Sequence, residues 1–197
     1  MKHHGFMNVS KLILATAGKF PGDYFDERCI EVPKIGLEEN LGRLPIATKG
    51  DFTIGTSAAI NFYLASEFNL MGKDTREAAK IVSISEHLRE LTAAYKNLIP
   101  SEESSSKDLL DRWFEGGAMD VNGSAIVEDK EKRYLTWWMG RIEKIIGGKG
   151  IAVGSKLSLA DLMIFNTFQD QETYHEECDS SIAGSESDGL WRRGPMG

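Results

Sequence analysis

The residues best suited to chemistry lie within 42–70, GRLPIATKGDFTIGTSAAINFYLASEFNL. Two features there suit a peptide-like ligand with an acidic end. Pro45 opens a short apolar run, and a proline at a strand start has no N–H to give to a ladder. The backbone beside it, at Leu44, is therefore open to pair with an extended ligand. Further on, Thr56 and Ser57 stand where a strand gives way to a helix. A helix start offers unpaired N–H groups and the positive end of a dipole, which suit a carboxylate. The pattern places Ser57 at the N-cap.

The elements that must hold these residues follow from local pattern. Residues 44–48 and 52–54 read as strands joined by Lys49-Gly50-Asp51, and Ile60, Tyr63, Leu64 and Phe68 then recur at helical spacing. Upstream, Val9, Leu12 and Ile13 share a helix face that stops at Gly18, 23–30 alternates partly as a strand does, and 33–40 reads as a loop or short helix.

Downstream the chain is helical. Ala78, Ile81, Ser85, Leu88, Leu91 or Thr92, Tyr95 and Leu98 recur at three and four before Pro100. Ser104-Ser105-Ser106 caps a segment whose Leu109, Leu110, Trp113 and Phe114 make one apolar stripe. A third helix, 133–146, turns Tyr134, Trp137, Trp138, Ile142, Ile145 and Ile146 inward and stops at Gly147-Gly148. Ser158-Leu159-Ala160-Asp161 reads as a capping box, with Asp in place of the usual Glu, at the head of a last helix. Residues 169–197 are polar without periodicity and read as a disordered tail.

Composition narrows the function classes. The 197 residues are 41% hydrophobic and 27% charged, as in an ordinary globular protein. A formal charge of −7 without a basic patch argues against a nucleic-acid partner. The apolar runs are too short to span a bilayer, so no membrane partner is expected. Cys29 and Cys178 form no CxxC, which fits a reduced, cytoplasmic setting, and His3, His4, His87 and His175 show no metal-ligand spacing, so no metal is expected.

GRLP, followed by GDF-x-I-x-x-S-x-A-I-x-x-YLA, resembles the ββα half of the glutathione-binding domain of the cytosolic glutathione transferases, nearest the sigma-like and related classes. The spacing G-x-x-x-G-x-x-x-S-x-A-D-L ending at Leu162 is similar to the same family's folding signature in its helical domain. The likeness spans residues 5–168. It implies an α/β thioredoxin-like N-terminal domain, 1–71, followed by an all-α C-terminal domain, 75–168, with 169–197 outside both.

The resemblance also implies roles. Pro45 matches the family's cis-proline, and Leu44 and Pro45 would pin the cysteinyl part of glutathione. Thr56 and Ser57 would hold its γ-glutamyl end, and Arg43 would meet its glycyl carboxylate. Glu90 occupies the place of an acidic residue that reaches across a homodimer to the partner's glutathione amine; an exposed helical Glu is the alternative. Tyr95, Leu98 and Trp113 fall in the region that lines the electrophile pocket, although aromatics at such spacing more often form core.

The activity implied is conjugation of the glutathione thiol to small hydrophobic electrophiles, a detoxification reaction, with glutathione as co-substrate. Counted back from Gly5, the family's first strand, which carries its catalytic Tyr or Ser, falls before Met1. No catalytic residue is assigned, and a non-catalytic binding or interaction module is the alternative function. Losing a central strand removes several buried side chains at about 1.5–3 kcal/mol each, against a net stability of about 5–15 kcal/mol, so the expected domain is marginal. Ser10 and Tyr24 are the hydroxyls considered as substitutes, against packed or solvent-facing roles.

Overall fold

A computed structural model describes residues 7–24, 36–98, 107–115 and 134–168. These fall into two compact units. The first takes in the described residues as far as Met71 and again from Leu162, and the second is Gly72–Asp161.

In the first unit, α1 (Asn8–Thr16) lies against α2 (Ser57–Glu67). The buried face is Val9, Ile13 and Leu14 on α1, and Ile60, Leu64 and Ala65 on α2. Of the residues read from the sequence, Leu12, Tyr63 and Phe68 are only half-buried, at the edges of that face. One polar contact is sealed between them. The Ser10 hydroxyl donates to Asn61 Oδ1 at 2.6 Å, with both residues buried. Gly18, at φ +72°, ends the α1 turn in the left-handed region that favours glycine.

The hairpin β1 (Ile46–Lys49) and β2 (Phe52–Gly55) is antiparallel, pairing Ile46 with Gly55 and Lys49 with Phe52. Gly50 takes the positive φ that its tight turn needs. The hairpin packs on α2, and a 3₁₀ turn at Leu37–Asn40 packs on both strands. Lys49, at the end of β1, forms an ion pair with Glu67 in the last turn of α2, and the rings of Phe52 and Tyr63 lie 5.0 Å apart.

Two details differ from the sequence reading. The ladder starts at Ile46 rather than Leu44, because Pro45 has no N–H and Leu44 takes no ladder partner. Thr56 rather than Ser57 is the N-cap, its hydroxyl accepting from the Ala59 N–H at 3.4 Å. The strand read over 23–30 lies outside the described residues beyond Tyr24, which forms an isolated bridge with Pro21.

The second unit is helical: α3 (Thr75–Leu98), α4 (Lys107–Glu115), α5 (Leu135–Ile146), a 3₁₀ turn at Gly147–Lys149, and the start of α6 (Leu159–Phe168). Asp74 caps α3, accepting from the Glu77 N–H at 2.9 Å, and Glu77 accepts from the Lys73 N–H at 2.9 Å. Ile81, Ile84, Ser85, Leu88, Leu91 and Tyr95 form the buried stripe of α3.

Phe114 is exposed, not part of the α4 stripe. It follows Trp113 directly, and neighbours on a helix point about 100° apart, so only Trp113 turns inward. Ile145 is also exposed, because the buried stripe of α5 is narrow and runs through Trp138 and Ile142. The cap read for 104–106 lies outside the described residues. No described helix is long and apolar enough to cross a membrane.

Candidate functional site

The Pro45 carbonyl is the hub of the candidate site. It accepts from the Thr56 backbone N–H at 3.2 Å and from Asn40 Nδ2 at 3.0 Å. One oxygen therefore joins three segments: the 3₁₀ turn, the entry to β1 and the entry to α2. The Leu44–Pro45 bond is cis. Leu44 is 45% exposed, and among the described residues its backbone N–H and carbonyl take no partner.

Thr56 adopts φ +64° and ψ +134°, a conformation that costs a β-branched residue about 1–3 kcal/mol. Its own N–H and hydroxyl, both hydrogen-bonded, hold it there. Such outliers cluster at ligand clamps. Beyond it the Ser57 and Ala58 N–H groups have no partner among the described residues, and the half-buried Ser57 hydroxyl has none either. No acidic residue stands in the first turn of α2. The open donors and the dipole leave a place for an anion.

Gly55 explains how close the segments come. A Cβ there would lie 2.3 Å from Asn40 Cβ and 2.7 Å from the Glu39 carbonyl oxygen. Arg43 belongs to the same segment, its N–H bonded to the Asn40 carbonyl at 3.0 Å, with its side chain exposed. The structure thus gathers Arg43, Leu44, Pro45, Thr56 and Ser57 about one carbonyl. Asn40 and Gly55 are the two members that sequence reasoning passes over. The only signal for Gly55 is a glycine closing a strand, and Asn40 sits in a segment read as a loop or short helix.

At the far end of α2, Glu67 is held below the usual carboxylate range, first by its hydrogen bond from Lys49, with burial opposing. The same bond raises the Lys49 amine above its ordinary value. Burial, together with the hydrogen bond to Glu67, raises Tyr63. This cluster ties hairpin to helix and leaves Lys49 and Glu67 charged at neutral pH.

The remaining sequence-predicted residues stand on the second unit. Glu90 is largely exposed, with its carboxylate 3.8 Å from His87 Nδ1, while Glu86 pairs with Arg89 at 3.2 Å. Tyr95 and Trp113 are brought together, ring centroids 5.2 Å apart at 58°, and both are buried. The Leu98 side chain lies outside the described residues. Of the two substitute hydroxyls, Ser10 is spent on Asn61 in a buried contact, and Tyr24 is half-buried beside its backbone bridge. Among the described residues no group of three or more His, Cys, Asp or Glu is placed to hold a metal ion.

The known proteins that this chain is similar to are glutathione S-transferases. The chain is 29% identical to human glutathione S-transferase A5 over 92% of its own length and 74% of that protein. It is 25% identical to a glutathione S-transferase of Dirofilaria immitis, over 88% of this chain and 76% of that one. The structure of the Onchocerca volvulus Pi-class glutathione S-transferase superposes with a TM-score of 0.61 at 23% identity, covering 83% of this chain and 70% of that one.

No protein-family model matches. These relatives support a place for the chain among the cytosolic glutathione S-transferases, and its fold is that of the solved ones, a thioredoxin-like N-terminal part followed by a helical C-terminal part. The class labels among these relatives are alpha and Pi, and a sigma-like class gains no support from them.

Proposed function

We propose that the chain binds glutathione at the Pro45 hub and serves its conjugation to small hydrophobic electrophiles. One observation carries the reading: a single carbonyl, bonded to Asn40 and Thr56, fixes an unpaired backbone at Leu44 beside the unpaired N–H groups that open α2. Glutathione is a short extended peptide with a carboxylate at each end. Its cysteinyl amide would pair with Leu44 as an added strand does. Its γ-glutamyl carboxylate would lie on Ser57 and the α2 tip, where charge-assisted hydrogen bonds contribute most. Arg43 would meet the glycyl carboxylate.

Residues 1–71 would form the glutathione domain and 75–168 the helical domain, with Tyr95, Leu98 and Trp113 near the electrophile. A homodimer would bring Glu90 to the partner's glutathione amine, and the setting would be cytoplasmic.

Conjugation needs thiolate, and a free thiol has a pKa of about 8.5, so a donor to the sulfur must lower it. Ser10, the candidate hydroxyl on α1, donates to Asn61 instead. That favours the second reading, a glutathione-binding module without turnover. Titration calorimetry with glutathione and a chlorodinitrobenzene conjugation assay separate the two. Saturable binding with turnover supports the transferase, and binding alone supports the module. Absence of binding by the folded chain overturns both.

A further inference from the structure

We propose that Asn40 is a positioning residue that couples the two halves of this glutathione site. The inference rests on the glutathione reading above and assigns a role to a residue that does not itself touch the ligand. Asn40 is 4% exposed, in the 3₁₀ turn Leu37–Asn40. A carbonyl oxygen can only accept, so the atom 3.0 Å from the Pro45 oxygen is the amide nitrogen, which fixes the side chain's orientation.

The same oxygen accepts from the Thr56 N–H at 3.2 Å. The Asn40 amide and the α2 entry are thus tied through one atom, and Leu44 is the residue immediately before it. The packing leaves Asn40 no slack. Gly55 lies under it so closely that a Cβ would fall 2.3 Å from Asn40 Cβ and 2.8 Å from its Cγ. The turn is itself pinned at its far side, where the Asn40 carbonyl accepts from the Arg43 N–H at 3.0 Å.

Removing the donor frees the Pro45 carbonyl to rotate. That shifts the Leu44 backbone, which would meet the cysteinyl portion, and releases Thr56 from one of its restraints. Both ends of the ligand then lose alignment together. The burial of Asn40 makes this a question of hydrogen-bond polarity rather than of volume, and an aspartate, isosteric with asparagine, isolates that polarity. In the Asn40→Asp variant an ionised carboxylate would present an acceptor to an acceptor. A protonated one would restore an O–H donor, and burial beside a carbonyl favours the protonated form.

The test is titration calorimetry of glutathione against the parent chain, Asn40→Asp and Asn40→Ala, each at a temperature where circular dichroism shows a complete fold. At pH 7.5 both variants are expected to bind about tenfold or more weakly than the parent. At about pH 5 Asn40→Asp returns to within about threefold of the parent at that pH, while Asn40→Ala stays weak. The γ-glutamyl carboxylate remains ionised there, so the ratio to the parent reports the hydrogen bond and not the ligand.

A parent that binds, with folded variants matching it at pH 7.5, overturns the role of Asn40 and leaves the glutathione reading intact. Loss without recovery of Asn40→Asp also overturns it, because polarity would then not be the cause. If neither variant folds at any temperature, Asn40 holds the unit rather than the site, and the proposal fails. A folded parent that does not bind overturns the underlying reading, and this inference with it.

Discussion

The starts of α2 and α6 are built from similar residues and end in opposite states. At α6, Ser158 is 1% exposed and its side-chain and backbone donors are both used. Asp161 accepts from the Ser158 hydroxyl at 2.6 Å, the Ser158 N–H at 2.9 Å and the Ala152 N–H at 2.7 Å. At α2, a Thr-Ser pair opens the helix with no acid in the first turn, and the Ser57 hydroxyl and the Ser57 and Ala58 N–H groups stay open among the described residues. The difference is one carboxylate. α6 carries its own anion in Asp161, whereas α2 has no acid in its first turn. The comparison teaches why a Ser at a helix start is structural in one place and a candidate contact in the other. What decides is whether the chain supplies the acceptor.

If α6 is closed by its own acid, Asp161→Ala should have the largest effect on stability. It strands three donors, two of them on the buried Ser158, and is expected to destabilise by about 2–4 kcal/mol, combining a lost cap with unpaired buried groups. A thermal melt should fall by several degrees, with glutathione affinity unchanged below the transition. A melt unaffected by this change would break the comparison at its structural end.

Gly55→Ala comes next. The added methyl overlaps Asn40 and the Glu39 backbone and should cost about 1–3 kcal/mol. Because the overlap falls on the site, affinity should drop along with the melt. This separates the α2 region from α6, where stability alone should move.

Ser57→Ala should do the reverse of Asp161→Ala. Thr56 is the cap, so the melt should hold within about 0.5 kcal/mol, while the loss of one charge-assisted contact should weaken glutathione about tenfold by calorimetry. A lower melt with unchanged affinity would make Ser57 structural after all.

The smallest effect should come from Glu67→Gln, which removes the ion pair to Lys49. Both side chains are about a third exposed, so the loss should be under about 1 kcal/mol. The depressed Glu67 carboxylate contributes stability above its unfolded pKa and loses it as pH falls through the lower folded value. The raised Lys49 amine contributes below its unfolded pKa and loses that as pH rises through the higher folded value. Denaturant melts of parent and variant should therefore differ at neutral pH and converge in strong acid.

Much of this fold is legible in the sequence because its signals are local. The hairpin turn at Gly50, the α2 face through Ile60 and Leu64, the α3 stripe and the Ser158–Asp161 cap all depend on residues a few positions apart. The errors have the same root. Ser57 and Thr56 are both good caps by type, and only the strained backbone at Thr56 decides between them. Phe114 and Ile145 belong to apolar runs whose edges are set by how wide a stripe the neighbouring helix covers. Asn40 and Gly55 are invisible at that level because their meaning is a contact between segments. No local pattern around Asn40 says that its amide will reach the Pro45 carbonyl, or that a glycine is required beneath it.

The central claim is that one carbonyl aligns an open backbone and an open helix tip for a peptide thiol. Glutathione titration followed by amide chemical shifts of the labelled parent chain tests it most directly. The account predicts saturable shifts concentrated at Leu44, Thr56, Ser57 and Ala58, with the Ser158–Asp161 amides unmoved. Saturable shifts confined to other residues, or none at these four at saturating glutathione, would contradict it.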